Sequence, residues 1–187
     1  QRQQLLHKSE RMPHLLAMTA TPIPRSLALT VYGELDISVL NERPKGRKPI
    51  LTKLWSPNSR SQLYDLIEEQ LAKGRQAYVI CSLIDDNADN ELKSVQAEYK
   101  KLRVGPFKHR QIGLLHGKLK PAEKEAVMAD FASGKTDILV STTVVEVGVD
   151  VPNATVIMIE NADRFGLAQL HQLRGRVGRS EHQSYCY

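Results

Sequence analysis

The chain has 187 residues, 41% of them hydrophobic, and 26 basic against 21 acidic side chains give a formal charge of +5. That is enough chain for one full domain and part of another, and the mild positive balance is compatible with a nucleic-acid partner without requiring one. No apolar run approaches the roughly 20 residues of a membrane span, the polar N-terminus has no signal-peptide pattern, and Cys81 and Cys186 have neither disulfide-framework nor metal-ligand spacing, so a reducing compartment, the cytoplasm, is expected.

From the N-terminus, Gln1 to Arg11 is polar and helix-prone, and Leu15 to Met18 is a short apolar run entering Thr19-Ala20-Thr21-Pro22-Ile23-Pro24. The two prolines end any regular element there. A helix-like piece from Arg25 to Tyr32 follows. Asn41 to Pro49 holds two prolines, one glycine and four basic residues and reads as an interdomain linker. This divides the chain into 1–48 and 49–187. The second part alternates. Gln76 to Cys81, Gln111 to Leu115, Asp137 to Ser141 and Thr155 to Ile159 are short apolar runs suited to strands buried on both faces. Between them, Leu63, Leu66, Ile67 and Leu71 form a helical stripe stopped at Gly74, and Leu92, Val95, Tyr99 and Leu102 form another. A third helix opens at Pro121, carries Lys124, Val127, Met128 and Phe131, and ends at Gly134. This alternation implies right-handed βαβ units, an α/β fold with a parallel sheet flanked by helices, and ligand loops at the strand C-termini.

The most informative segment is Gln169 to Arg179. It packs three arginines and two glycines into its last six residues. At helical spacing Leu167, Leu170, Leu173 and Val177 share one stripe, and Gln169, Gln172, Arg176 and Arg179 share another. The apolar stripe would dock the segment while the polar one faces outward. Arginine is a permanently charged, forked donor matched to phosphate oxygens, and glycine, at about 1 kcal/mol of helix stability against alanine, allows close backbone approach. A solvated basic face is the bland alternative. The brevity, the glycines and the apolar backing favour a guanidinium pair aimed at a polyphosphate.

Two other segments follow strands. His116-Gly117 comes after Leu115; a lone loop histidine is more often structural than catalytic, and no partner has metal-ligand spacing, so no metal site is expected. Ser141 to Pro152 (STTVVEVGVDVP) offers hydroxyls and amides at a strand end, where phosphates can be held, although Thr-capped loop structure explains the segment equally well in isolation.

Gln172 to Arg179 resembles motif VI of superfamily 2 helicases, in the form QxxGRxGR. The resemblance implies that Arg176 and Arg179 are arginine fingers reaching the ATP γ-phosphate across an interlobe cleft, with Gln172 on the nucleotide side; such arginines stabilise the transition state of phosphoryl transfer. Thr19 to Arg25 (TATPIPR) resembles motif III, which implies that Thr19 and Thr21 couple the ATP site to the other lobe. Ser141 to Pro152 resembles motif V, which implies DNA-backbone contacts from Thr142 and Thr143 and a nucleotide-facing Gly148 and Asp150. His116 and Gly117 are implied to lie beside the nucleic-acid backbone. Together the motifs cover essentially the whole chain and are most similar to the RecG family of ATP-dependent DNA helicases. The resemblance implies a RecA-like lobe two, preceded in 1–48 by the end of lobe one and the linker, in a monomeric motor that remodels branched DNA in the bacterial cytoplasm.

No G-x-x-x-x-G-K-[ST] phosphate loop and no Asp-Glu pair of the Walker B kind occurs in the 187 residues. The expectation is therefore that ATP and Mg²⁺ are held mainly by a first lobe upstream, and that these residues alone are nearly inert. GLAQLHQLRGRVGR is shared with the transcription-repair coupling translocase Mfd, which stays an alternative. A non-catalytic nucleic-acid-binding module and an unrelated phosphate-binding α/β domain are the others.

Overall fold

The computed structural model describes Met18, Ser38, Leu40 and residues 46–82, 88–142 and 150–187. The chain divides into two compact units, Gln1–Ser38 and Val39–Tyr187, and the elements below belong to the second. The expected elements in 1–11 and 25–32 lie outside the described residues, as do Thr19, Thr21, Thr143, Gly148 and Glu146.

Six parallel strands form one sheet. They are β1 (Leu51–Thr52), β2 (Gln76–Ile80), β3 (Ile112–Leu115), β4 (Ile138–Ser141), β5 (Ala154–Ile159) and β6 (Tyr185–Cys186), in the order β1-β6-β5-β2-β4-β3. The four apolar runs are β2 to β5, and every residue of β2, β4 and β5 is buried, as strands covered on both faces require. The short edge pair β1 and β6 was not signalled by the sequence. Among the described residues, four α-helices connect the strands: α1 (Arg60–Ala72), α2 (Ala88–Val104), α3 (Pro121–Ala132) and α4 (Leu167–Arg174).

Alternation along the strands sorts the core into two layers. Ala77, Val79, Cys81, Val140, Val156 and Met158 pack with Leu63, Ile67 and Leu71 of α1 and Val95 and Leu102 of α2. Tyr78, Ile80, Leu139 and Ile157 point the other way, to Phe131 of α3 and Leu173 of α4. The expected stripes of α1 and α2 thus face one side of the sheet. In α1, Leu66 is only partly buried. In α3, Phe131 is fully buried while Val127 and Met128 pack at its margin. Gly74 and Gly134 follow α1 and α3 with φ of +75° and +79°, the left-handed stops that glycine provides.

The final helix is shorter than its spacing suggests. It ends at Arg174, with Gly175 closing it by donating its N–H to the His171 carbonyl (3.1 Å). Leu173 and Val177 are buried, Leu170 is partly buried, and Leu167 is 86% exposed. The single helical stripe through Leu167 and Val177 is therefore corrected: glycine's low helix propensity wins at position 175, and Arg176 and Arg179 sit on an irregular turn.

Candidate functional site

The turn after α4 is fixed by its backbone. Gly178 has φ +77°, and its N–H donates to the Ser184 hydroxyl at 3.1 Å. A Cβ there would lie 2.8 Å from the Ile50 Cγ1 atom. The turn is thereby fastened to the segments flanking β6 and β1, since Leu51 N–H also donates to the Ser184 carbonyl (2.9 Å). Arg179 leaves this turn with its Nε donating back to the Gly175 carbonyl at 3.1 Å. Its Nη1 stands 3.1 Å from the Asp150 carboxylate. Arg176 and Gln172 are half-buried. Below them is the core residue Tyr78, 1% exposed and 4.9 Å from Phe131 between ring centroids. Burial pushes the Tyr78 phenol up to about 12, tempered by the positive charges of Arg179 and Arg176 and reinforced by Asp150. These three charges therefore share the neighbourhood of one rigid aromatic side chain. Two guanidinium-bearing residues and one carboxylate, brought together from distant positions, can hold and orient a polyphosphate.

The second cluster lies at the strand C-termini. The register aligning Ile80, Ser141 and Leu115 puts the residues beyond them at one level. Thr142 is fully buried and His116 is 9% exposed. The hydroxyls of Thr142 and of Ser82 are buried with no hydrogen-bond partner among the described residues. A buried hydroxyl without a partner is costly, and each of these two directly precedes a stretch outside the described residues, 83–87 and 143–149. Gly117 is exposed, with nothing near the place of a Cβ, and its carbonyl accepts from Lys124 Nζ at 2.8 Å. Ser82 escaped the sequence reading because a lone serine after a strand has no pattern. Its signal was its place at the end of β2.

Between the ends of β2 and β5 the connections diverge to opposite faces, which opens a crevice. A cavity of about 300 Å³ there is lined by Cys81, Ser94, Glu98, Lys101, Glu160 and Asn161. Arg60 of α1 binds Tyr64, Glu98 and Glu160 together. Burial pushes the Glu160 carboxyl up, opposed by Arg60. Burial, with Glu98 and Glu160 nearby, also holds the Cys81 thiol up at about 12, so this cysteine is protonated and no nucleophile. Among the described residues no group of three or more metal-ligating side chains occurs, and no helix is long and apolar enough to cross a membrane.

Residues 58–181 match the family model of the helicase conserved C-terminal domain. The chain is a helicase C-terminal domain. It is 55% identical over 186 residues to the ATP-dependent DNA helicase RecG of Synechocystis, covering all of this chain and 22% of that protein. It is 52% identical to RecG of Aquifex aeolicus over all of this chain and 23% of the relative, and 53% identical to RecG of Staphylococcus epidermidis over 98% and 27%. The chain spans about a quarter of the length of these relatives. A solved structure of RecG bound to a three-way DNA junction is 48% identical, with a TM-score of 0.74 over 89% of this chain and 21% of that one. Yeast Dbp5 bound to RNA and ADP BeF3, at 18% identity and a TM-score of 0.60 over 90% of this chain and 42% of that one, shares the RecA-like fold.

Of the residues expected to serve the helicase domain, Arg176, Arg179 and Asp150 share the surroundings of Tyr78, Gln172 lies in α4 before them, and His116, Gly117 and Thr142 lie at or just beyond the C-terminal ends of β3 and β4. The two groups are joined along the chain by residues 143–149.

Proposed function

We propose that this domain is lobe two of an ATP-dependent DNA helicase or translocase that remodels branched DNA, as at replication forks and recombination junctions. The observation that carries the reading is the fastened turn that presents Arg179 beside Arg176. An arginine presented from such a turn suits the charge that develops on a transferring γ-phosphate. Residues 1–48 are the end of lobe one with its linker, and Thr19 and Thr21 couple the lobes. Gln172, Gly148 and Asp150 lie on the nucleotide side. Ser82, His116, Gly117, Thr142 and Thr143 serve the DNA backbone. Thr142 acts from a buried position, through the strand end, and Thr143 from the segment that follows.

ATP with Mg²⁺ is the proposed fuel, its phosphates and metal held by a first lobe, because no phosphate loop occurs in these 187 residues. RecG of known structure was bound to a three-way junction, which supports branched DNA as the partner here. The intact protein is proposed to act as a monomer, in the bacterial cytoplasm where its substrate is.

The test is strand separation by the full-length protein. A labelled three-way junction and a linear duplex of equal base-pair count are each incubated with ATP and Mg²⁺. The junction is expected to be unwound in an ATP-dependent manner and the linear duplex much less. Equal activity on both, or none on either with ATP consumed, contradicts the branched-DNA reading.

A further inference from the structure

An arginine assists phosphoryl transfer only if its donors are already placed where charge develops, and a misplacement of about 1 Å can cost a hundredfold in rate. The Arg179 Nε–H is held by the Gly175 carbonyl at 3.1 Å. That bond fixes the side chain relative to its own turn, but not the turn relative to the sheet. The second task falls to Ser184. Its hydroxyl accepts the Gly178 N–H at 3.1 Å, and the residue is 0% exposed, so the acceptor is shielded from competing water.

Ser184 also reaches the other way. Its carbonyl accepts the Leu51 N–H at 2.9 Å, which joins β6 to β1. Gln183 lays its amide across the same junction, with Nε2 donating to the Pro49 carbonyl at 2.8 Å and to the Ser184 carbonyl at 3.1 Å. Ile50, between Pro49 and Leu51, lies against the Cα of Gly178. Each of the three residues from Pro49 to Leu51 is thus tied to the turn itself or to Gln183 and Ser184. The bond from Gln183 to Pro49 is exposed. Water competes for it, so it sets position more than it adds stability.

We infer that Ser184 is a positioning residue for Arg179 and that, with Gln183, it clips the arginine turn to the segment Pro49–Leu51 entering β1. This rests on the reading of Arg179 as the γ-phosphate contact. Pro49 is the last residue of the proposed linker, so the clip makes the place of the arginine follow the end of the linker.

The test uses the full-length protein as wild type, Ser184→Ala, Gln183→Glu and Arg179→Ala, with each of the first two changes also combined with Arg179→Ala. DNA-stimulated ATP hydrolysis is measured against ATP concentration in the steady state and in single turnovers, below the melting temperature of every variant. One neutral hydrogen bond is worth roughly two- to tenfold. Ser184→Ala is therefore expected to lower kcat about fivefold, with KM for ATP within about twofold of wild type. Gln183→Glu keeps the shape of a half-buried side chain and removes only its donor, so it tests the clip without touching the core. It is expected to lower kcat about threefold. In the Arg179→Ala background neither change is expected to slow hydrolysis further, because a residue that acts through Arg179 then has nothing to position. Equal falls in both backgrounds would make the pair merely structural and overturn the inference. So would a raised KM with kcat unchanged, or a wild-type kcat in either single variant. If Arg179→Ala hydrolyses ATP near the wild-type rate, the arginine reading itself has failed. If Arg179→Ala is inactive and Ser184→Ala is normal, only the positioning role falls.

Discussion

At Gly178 two separate demands meet on one residue. Its φ of +77° lies in the left-handed region, which costs an L-residue about 1–2 kcal/mol, and its Cα faces Ile50 with no room for a Cβ. Gly178→Ala should therefore displace the turn that carries Arg179 and reduce ATP hydrolysis by the full-length protein. The two contributions separate in a double variant: Ile50→Ala added to Gly178→Ala removes the clash but not the backbone penalty, so it should restore part of the activity. A double variant no better than Gly178→Ala would mean the Ile50 contact is unimportant, and an active Gly178→Ala would mean the turn tolerates displacement. The sequence made the need for glycine legible here, but not its reason. It suggested close backbone approach without a partner, and the partner found is Ile50, distant in the chain. The pairing of Asp150 with Arg179 was equally hidden, because only the sheet brings the two together.

Among the elements, the strands were legible where burial on both faces leaves an unbroken apolar run, as in β2, β4 and β5. The outer strand β1 and its neighbour β6 are two residues long and carry no period to read. The last helix was overextended because amphipathic spacing continues through Val177, while the helix itself stops at Gly175. The opposite edge of the sheet is stapled by Glu68 of α1. Its carboxylate accepts from Arg110 (2.5 Å) and pairs with His109 (3.1 Å). Asp137 accepts the Gln111 N–H at 2.8 Å, which completes the link from α1 through the approach to β3 to the approach to β4. Burial acts to raise the Glu68 pKa, but the hydrogen bonds from Arg110 and His109 outweigh it and hold the carboxyl below its usual value. A depressed carboxylate pKa adds stability that is fully present above the unfolded-state value and is lost as pH falls through the folded-state value. Glu68→Gln should thus lower the melting temperature at pH 7, with the gap to wild type closing as pH falls through the carboxylate range and below it. A gap of constant size across that range would assign the effect to packing instead of charge.

For the whole molecule, the parallel α/β architecture followed from the alternation of apolar runs with amphipathic helices, and the helicase family from the order of three motifs along the chain. The division of labour between the sheet edges did not, since it depends on which strands are neighbours. β2 is flanked by β4 and β5, so Ser82 and Thr142 stand at adjacent strand ends while Asp150, beyond the same connection, meets Arg179. All of this depends on Arg179 meeting the nucleotide. The most direct measurement compares ATP hydrolysis with ATP binding in full-length Arg179→Ala. The account predicts that DNA-stimulated hydrolysis falls by on the order of a thousandfold while a fluorescent ATP analogue still binds with nearly wild-type affinity. Hydrolysis close to the wild-type rate would contradict it.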